Sequence, residues 1–213
     1  SPHTETLTGD ELNTGAHTNI TLTNSPTLID GAIYTVSFGA TDFAGNSATT
    51  VSTTGITYDV FAPTISSTTP SQNSYVNNTK VSYTLSEAVA SGTITWTQTG
   101  GSADSNSPHV KALTGDELNT GAHTDITLTN APTLVDGAIY TISFDAKDAT
   151  GNAAITVSIT SVTYDITAPT FTSISPADSS KINYTTITYS LSETIPSGTI
   201  TWTRTGGSED STS

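Results

Sequence analysis

Apolar residues alternate with polar ones over short runs in this chain. In residues 80–86, Val81, Tyr83 and Leu85 fall on one face; in 93–97, Ile94 and Trp96; in 125–129, Ile126 and Leu128. Residues 138–146 alternate through Tyr140, Ile142, Phe144 and Ala146. Residues 64–69 supply a first such run and 155–164 a last. A period of two marks a strand with one face against a core. Gly, Pro, Asn and Asp separate the runs at a spacing of about ten residues, the rhythm of an antiparallel sandwich. Tyr83, Leu85, Ile94, Trp96, Ile126, Leu128, Tyr140, Ile142 and Phe144 are the expected core. No segment sustains a helical period. One helical turn is expected in 113–121, with Thr114 as N-cap, Glu117 as its capping-box partner and Gly121 closing the turn in a left-handed conformation.

The pattern is written twice. Residues 7–18 return letter for letter as 113–124. At the same shift of 106 residues, Trp96 returns as Trp202, Tyr58-Asp59 as Tyr164-Asp165, and Ala62-Pro63-Thr64 as Ala168-Pro169-Thr170. A fixed period signals tandem repeats, and a unit of about 100 residues is a normal domain. Ala-Pro-Thr after a strand reads as a linker, since proline breaks the ladder. The phase then makes 62–167 a complete repeat, 1–61 the C-terminal part of one and 168–213 the N-terminal part of the next. Each part is expected to expose an apolar face and unpaired edges. Ser1 and Ser213 share one phase, so the two parts together make one repeat. Two expectations follow: an excerpt from a longer array, which is favoured, or completion of one copy by the next.

Composition sets limits on function. Five Lys and Arg stand against nineteen Asp and Glu, a net charge of −14. Such a chain neutralises neither a nucleic acid nor an anionic membrane surface, so no nucleic-acid partner and no membrane insertion in this segment are expected. Charged residues are only 11% of the chain, which argues against a solvated acidic tail. With no cysteine, disulfides, thiolate metal sites and cysteine nucleophiles are ruled out.

Two motifs carry a resemblance. Leu134-x-x-Gly137-x-x-Tyr140 resembles the tyrosine corner of immunoglobulin-like and fibronectin type III domains. Asp148-x-x-Gly151-Asn152 ahead of a strand, and Tyr-Asp-x-x-Ala-Pro-Thr at each boundary, are similar to the bacterial Ig-like repeats of large surface adhesins. The resemblance covers essentially the whole period. It implies an all-β fold of tandem Ig-like sandwiches, displayed outside the cell and often stiffened by calcium. Cadherins carry an Asn-Asp run as well where this chain has a single Asp at each boundary, Asp59 and Asp165.

Enzymatic activity is not expected. His3, His17, His109 and His123 fall in expected loops, with no HExxH spacing and no nucleophile elbow to give them chemistry. His109 and His123 share one long connection with Asp116, where a meeting is conceivable but exposed or turn-bonded histidines are the expectation. Trp96 and Trp202 are expected to pack in cores rather than to stack on sugars.

Calcium has more geometry behind it. In a sandwich of this topology, end-to-end stacking brings Asp10, Glu11 and Asp30 of the leaving repeat and Asp59 of the linker toward Glu87, Asp148 and Asn152 of the entering one. Ca²⁺ takes six to eight hard oxygen ligands. The candidate ligands are Asp59, Glu87, Asp148 and Asn152, with Asp165 and Glu193 at the following junction. The alternative is that Asp148 and Asn152 only build a turn.

The expected function is a structural extension or stalk module of a large extracellular adhesin or surface filament. Its partners are neighbouring repeats, or copies of itself, in a linear fibre. The alternative is an adhesin module that recognises a glycan or protein through its loops, chiefly 100–124. Those loops are rich in Ser, Thr, Gly and Asn and hold no Trp, which favours the spacer.

Overall fold

The computed structural model describes residues 2–209. The chain divides into two compact units, 1–164 and 165–213. In the first, residues 1–61 hold a 3-10 helix, Gly9–Leu12, and strands β1 (Ile33–Phe38) and β2 (Val51–Thr57). β1 and β2 pair antiparallel as a two-stranded sheet.

Residues 62–164, which fall within the expected middle repeat 62–167, hold β3 (Ile65–Thr69), β4 (Tyr75–Val76), β5 (Val81–Leu85), β6 (Ser91–Gly101), β7 (His109–Ala112), β8 (Gly121–Ile126), β9 (Ala138–Lys147) and β10 (Val157–Tyr164). One sheet runs β4-β10-β9-β6-β7 and the other β3-β5-β8. Their inner faces enclose a single core of Val81, Tyr83, Leu85, Ile94, Trp96, Leu128, Tyr140, Ile142, Phe144 and their neighbours. Eight of the nine expected core residues are buried; Ile126 is half-buried and packs against the cluster. β9 shows why alternation suffices: Ala138, Tyr140, Ile142, Phe144 and Ala146 are buried, and the residues between them are not. Burying such side chains contributes roughly 1.5–3 kcal/mol each before entropy is counted.

The longest ladder joins β6 and β9, from Ser91 opposite Lys147 to Gly101 opposite Ala138. Gly101 is required at its end. Its φ is +69°, and an added Cβ would lie 2.1 Å from the Gly137 carbonyl oxygen.

Three expectations need correction. The strand expected at 125–129 lies earlier, at 121–126, because the Thr129 N–H bonds the Glu117 carboxylate at 2.7 Å instead of joining a ladder. Residues 115–118 form a 3-10 helix with the expected capping box on Thr114. Gly121 does not close it; Asn119, in extended conformation, is the C-cap, and Gly121 with φ +106° opens β8. The segment 100–124, expected as a loop, is not simply one: its ends belong to β6 and β8, and β7 pairs within it with β6.

The second unit, 165–209 as described, holds β11 (Phe171–Ser175) and β12 (Thr188–Leu191), paired antiparallel. Among the described residues no helix is long and apolar enough to cross a membrane, which says nothing of a β-barrel.

Candidate functional site

The linker 58–64 and the loops that grip it form the candidate site. Asp30 Oδ1 accepts the Val60 N–H at 2.7 Å, and the Gly31 N–H donates to the Tyr58 carbonyl at 2.8 Å. These contacts fasten the start of the linker to the turn before β1. Pro63 is fully buried, and Thr64 exchanges hydrogen bonds with Ser86 beyond β5.

The loop between β9 and β10 grips the middle of the linker. Asp148 Oδ1 accepts the N–H groups of Thr150, Gly151 and Asn152 and the Thr150 hydroxyl, at 2.7–2.9 Å. This is the carboxylate-centred turn that Asp-x-x-Gly-Asn chemistry favours. Burial works to raise the Asp148 pKa, but these donors and the Asn152 amide outweigh it and hold the carboxyl below its usual range. Asn152 Nδ2 donates to Asp148 Oδ2 at 2.8 Å and reaches the carbonyls of Asp59 and Phe61 at 3.3 and 3.4 Å. The same turn forms at Asp42–Asn46, where Asn46 Nδ2 donates to Asp42 at 2.8 Å. The turn is therefore intrinsic, and what the middle repeat adds is the reach of Asn152 onto the linker.

Beside that grip, Asp59, Glu87 and Asp148 each bring a carboxylate oxygen to within 4.8 Å of the others. Glu87 registers the crowding: desolvation first, then the charges of Asp59, Asp148 and Asp30, push its pKa up. Like charges so close disfavour ionisation, and a cation relieves them. The donor set is all oxygen, which suits a hard divalent ion. Asp59, Glu87 and Asp148 are the residues that could hold such an ion. Asn152 turns its nitrogen toward Asp148 and the linker carbonyls, so its amide serves as a clamp.

Asp10 and Glu11 do not join the group. Asp10 accepts the Asn13 amide, and Glu11 bonds the N–H groups of Thr8 and Thr23. Asp165 accepts the Thr167 N–H in the second unit. Glu193 is half-buried there, and its Oε1 has no hydrogen-bond partner.

His3 and His17 lie outside helices and strands as expected, but His109 and His123 do not. His109 begins β7 and His123 lies in β8, so they belong to different sheets, and Asp116 is bonded to Asn119. His123 stacks on Tyr83 at 4.6 Å. His109 meets Asp104 at 2.6 Å, and Asp104 also accepts the Tyr140 hydroxyl at 2.7 Å. Bonds from His109 and Tyr140 hold the Asp104 carboxyl below its usual range. Tyr140 in turn accepts the Val135 N–H at 3.0 Å, and burial pushes its pKa up to about 12. This is the tyrosine corner, extended here by an acid and a histidine. Sequence spacing found the corner; nothing in it announced Asp104, thirty-six residues upstream. Tyr34 repeats the corner with the Ile29 N–H at 2.9 Å. The position of Asp104 recurs at Asp210, outside the described residues.

Two facing sheets, antiparallel apart from the short β4–β10 pair and closed by a tyrosine corner, define an immunoglobulin-like sandwich. Residues 59–163 match the sequence profile of the bacterial Ig-like domain, which is consistent with a bacterial Ig-like repeat. The chain matches no curated protein and no solved structure. Domains of this family are generally found in bacterial surface proteins, and the fold is structural rather than catalytic.

Proposed function

We propose that this chain is an extension segment of a bacterial surface adhesin or filament, in which Ig-like repeats of 106 residues stack end to end. The linker carries the reading: Asp30 of the leaving repeat and Asn152 of the entering repeat both bond its backbone. Repetition supports it too, since copies of one unit add length without adding new sites. Trp96 is buried, so the tryptophan of the middle repeat offers a sugar no stacking surface. The repeat boundaries belong to this proposal, with 62–167 as the whole unit. In arrays built on this period, small-angle scattering should show each added repeat lengthening the particle by roughly 40–45 Å, the reach of its strands plus loops. A maximum dimension that grows much more slowly would mean folded-back or freely jointed repeats and would sink the stacking.

Calcium held by Asp59, Glu87 and Asp148 is the second part of the proposal, with Asp165 and Glu193 repeating two of those positions one period on. The sign of the Glu87 shift gives a test. A folded-state pKa that is raised means stability present at low pH and lost as pH rises through that pKa. In chelator at neutral pH, Glu87→Gln should therefore raise the melting temperature, by about 1–4 °C for an exposed charge interaction. Calcium should raise the parent melting temperature and leave the variant nearly unmoved. Titration calorimetry without heat at millimolar calcium would remove the ion and leave the stacking to scattering.

A further inference from the structure

The two copies of the repeat differ unevenly along their length. Residues 7–18 and 113–124 are identical, the exposed Thr114, Asp116, Asn119 and Thr120 among them, so exposure alone has not let the copies drift apart. Residues 71–80 and 177–186 are the reverse. At the 106-residue shift they agree at three positions: Ser74 with Ser180, Asn77 with Asn183, and Thr79 with Thr185.

The fold accounts for the first of these. The Ser74 hydroxyl donates to the Ser71 carbonyl at 2.6 Å, and its own carbonyl accepts the Thr163 N–H at 2.9 Å, which fastens β4 to β10. It accounts for neither of the others. Among the described residues, Asn77 Nδ2 and the Thr79 hydroxyl bond nothing. Asn77 Oδ1 accepts the Asn78 amide at 3.0 Å, and Tyr184 stands in place of Asn78 in the other copy. What the retained pair shares is its spacing. Asn77-x-Thr79 and Asn183-x-Thr185 are acceptor sequences for N-linked glycosylation, in which an asparagine is recognised together with a hydroxyl two residues on. A third such sequence, Asn19-x-Thr21, has Asp125 at its shifted position and lacks this support.

The placement of Asn77 suits the chemistry. Residues 77–80 connect β4 to β5 without helix or strand, and Asn77 is exposed. A transferase must draw its acceptor into its own cleft, which a surface connection allows and a paired strand resists. We propose that Asn77 is an N-glycosylation acceptor, with Asn183 the same site one period on. Nδ2 forms a bond to the anomeric carbon of a sugar. The bond from that carbon to a phosphate oxygen of the donor breaks, the phosphate leaves with the electron pair, and the displaced amide proton passes to a base of the transferase. The co-reactant is a sugar activated as an anomeric phosphate ester, carried on a nucleotide or on a lipid. The attached glycan stands beside β4, the edge of the five-stranded sheet. A bulky hydrated group there obstructs pairing with the edge of another sheet. The site requires neither calcium nor end-to-end stacking.

Intact-mass spectrometry with site mapping tests the proposal on the folded 213-residue chain. One arm supplies a soluble asparagine glycosyltransferase with UDP-glucose; the other supplies a membrane oligosaccharyltransferase with a lipid-linked oligosaccharide. Sugar on Asn77 is expected in at least one arm, and the arm that works identifies the carrier. Thr79→Ala should abolish modification of Asn77 and leave that of Asn183, while Thr79→Ser should retain both. Asn77→Gln should leave the melting temperature of the unmodified chain where it was. No sugar on Asn77 in either arm, attachment that survives Thr79→Ala, or attachment to the denatured chain alone would overturn the proposal. So would a lowered melting temperature in Asn77→Gln, since the retained asparagine would then serve the fold.

Discussion

Trp96→Ala should destabilise the middle repeat by roughly 3–5 kcal/mol, the usual sum of lost transfer energy and residual cavity for a buried tryptophan. Trp96 sits on β6 between two ladders, opposite His109 on β7 and Ile142 on β9. Both neighbours are fixed by backbone pairing, so the walls of the cavity have little freedom to collapse. His109 is tied further to Asp104. Chemical denaturation followed by far-ultraviolet circular dichroism measures the loss, because Trp202 remains as a separate fluorophore. A loss below about 1 kcal/mol, the level of an average substitution, would mean that Trp96 is not a core residue. It would also restore the sugar-stacking reading.

Glu117→Ala should cost roughly 2–4 kcal/mol, because it strands donors that have no other partner in the fold. The Glu117 side chain accepts the N–H groups of Thr114 and Thr129 at 2.7 Å and both threonine hydroxyls at 3.1 Å. One carboxylate thus caps the 3-10 helix and fixes the chain beyond β8. Burial alone would raise its pKa; the backbone bonds from Thr129 and Thr114, then their hydroxyls, more than cancel that and lower it. A lowered folded-state pKa contributes stability that is full above the unfolded value, near 4.3 for Glu, and is lost as pH falls through the folded one. Glu117→Gln should therefore flatten the acid limb of the stability curve, measured as unfolding free energy between pH 6 and pH 3 (roughly the window in which a shifted Glu titrates). An acid limb identical to that of the parent would show that Glu117 is not held as a carboxylate.

Strands with a large alternating face were legible, and β9 and β5 lie where their patterns put them. β7 was not legible, for a physical reason. Its outward residue Val110 is apolar and exposed, while the inner positions are His109 and Lys111, so the hydrophobic pattern runs opposite to the burial. β4 is only two residues long, too short for a period to register. β8 was shifted because Ile126 and Leu128 alternate as a strand would, yet Thr129 answers to a side chain twelve residues away. The acidic cluster was readable as far as topology reached: Asp59, Glu87 and Asp148 came from three loops that a sandwich must bring to one end. Asp10 and Glu11 were over-included, since charge alone does not show that Glu11 is already committed to Thr8 and Thr23. Asn152, a candidate ligand by residue type, donates through Nδ2 to Asp148, since an amide can offer either its oxygen or its nitrogen.

The shortest ladder has a mechanical meaning. β4 and β10 run parallel, Tyr75 beside Thr163 and Val76 beside Tyr164. The Asn73 N–H bonds the Thr160 carbonyl and the Thr163 N–H bonds that of Ser74, at 3.2 and 2.9 Å. β4 follows soon after the chain enters the repeat, and β10 is the strand by which it leaves. Tension drawn along the polypeptide pulls these two parallel strands in opposite directions along their common axis. Their hydrogen bonds are then sheared together, whereas a hairpin pulled apart at its open end yields one bond at a time. Behind the β3–β5 ladder, which meets the load first, a stretch of two paired residues becomes a latch that resists in shear.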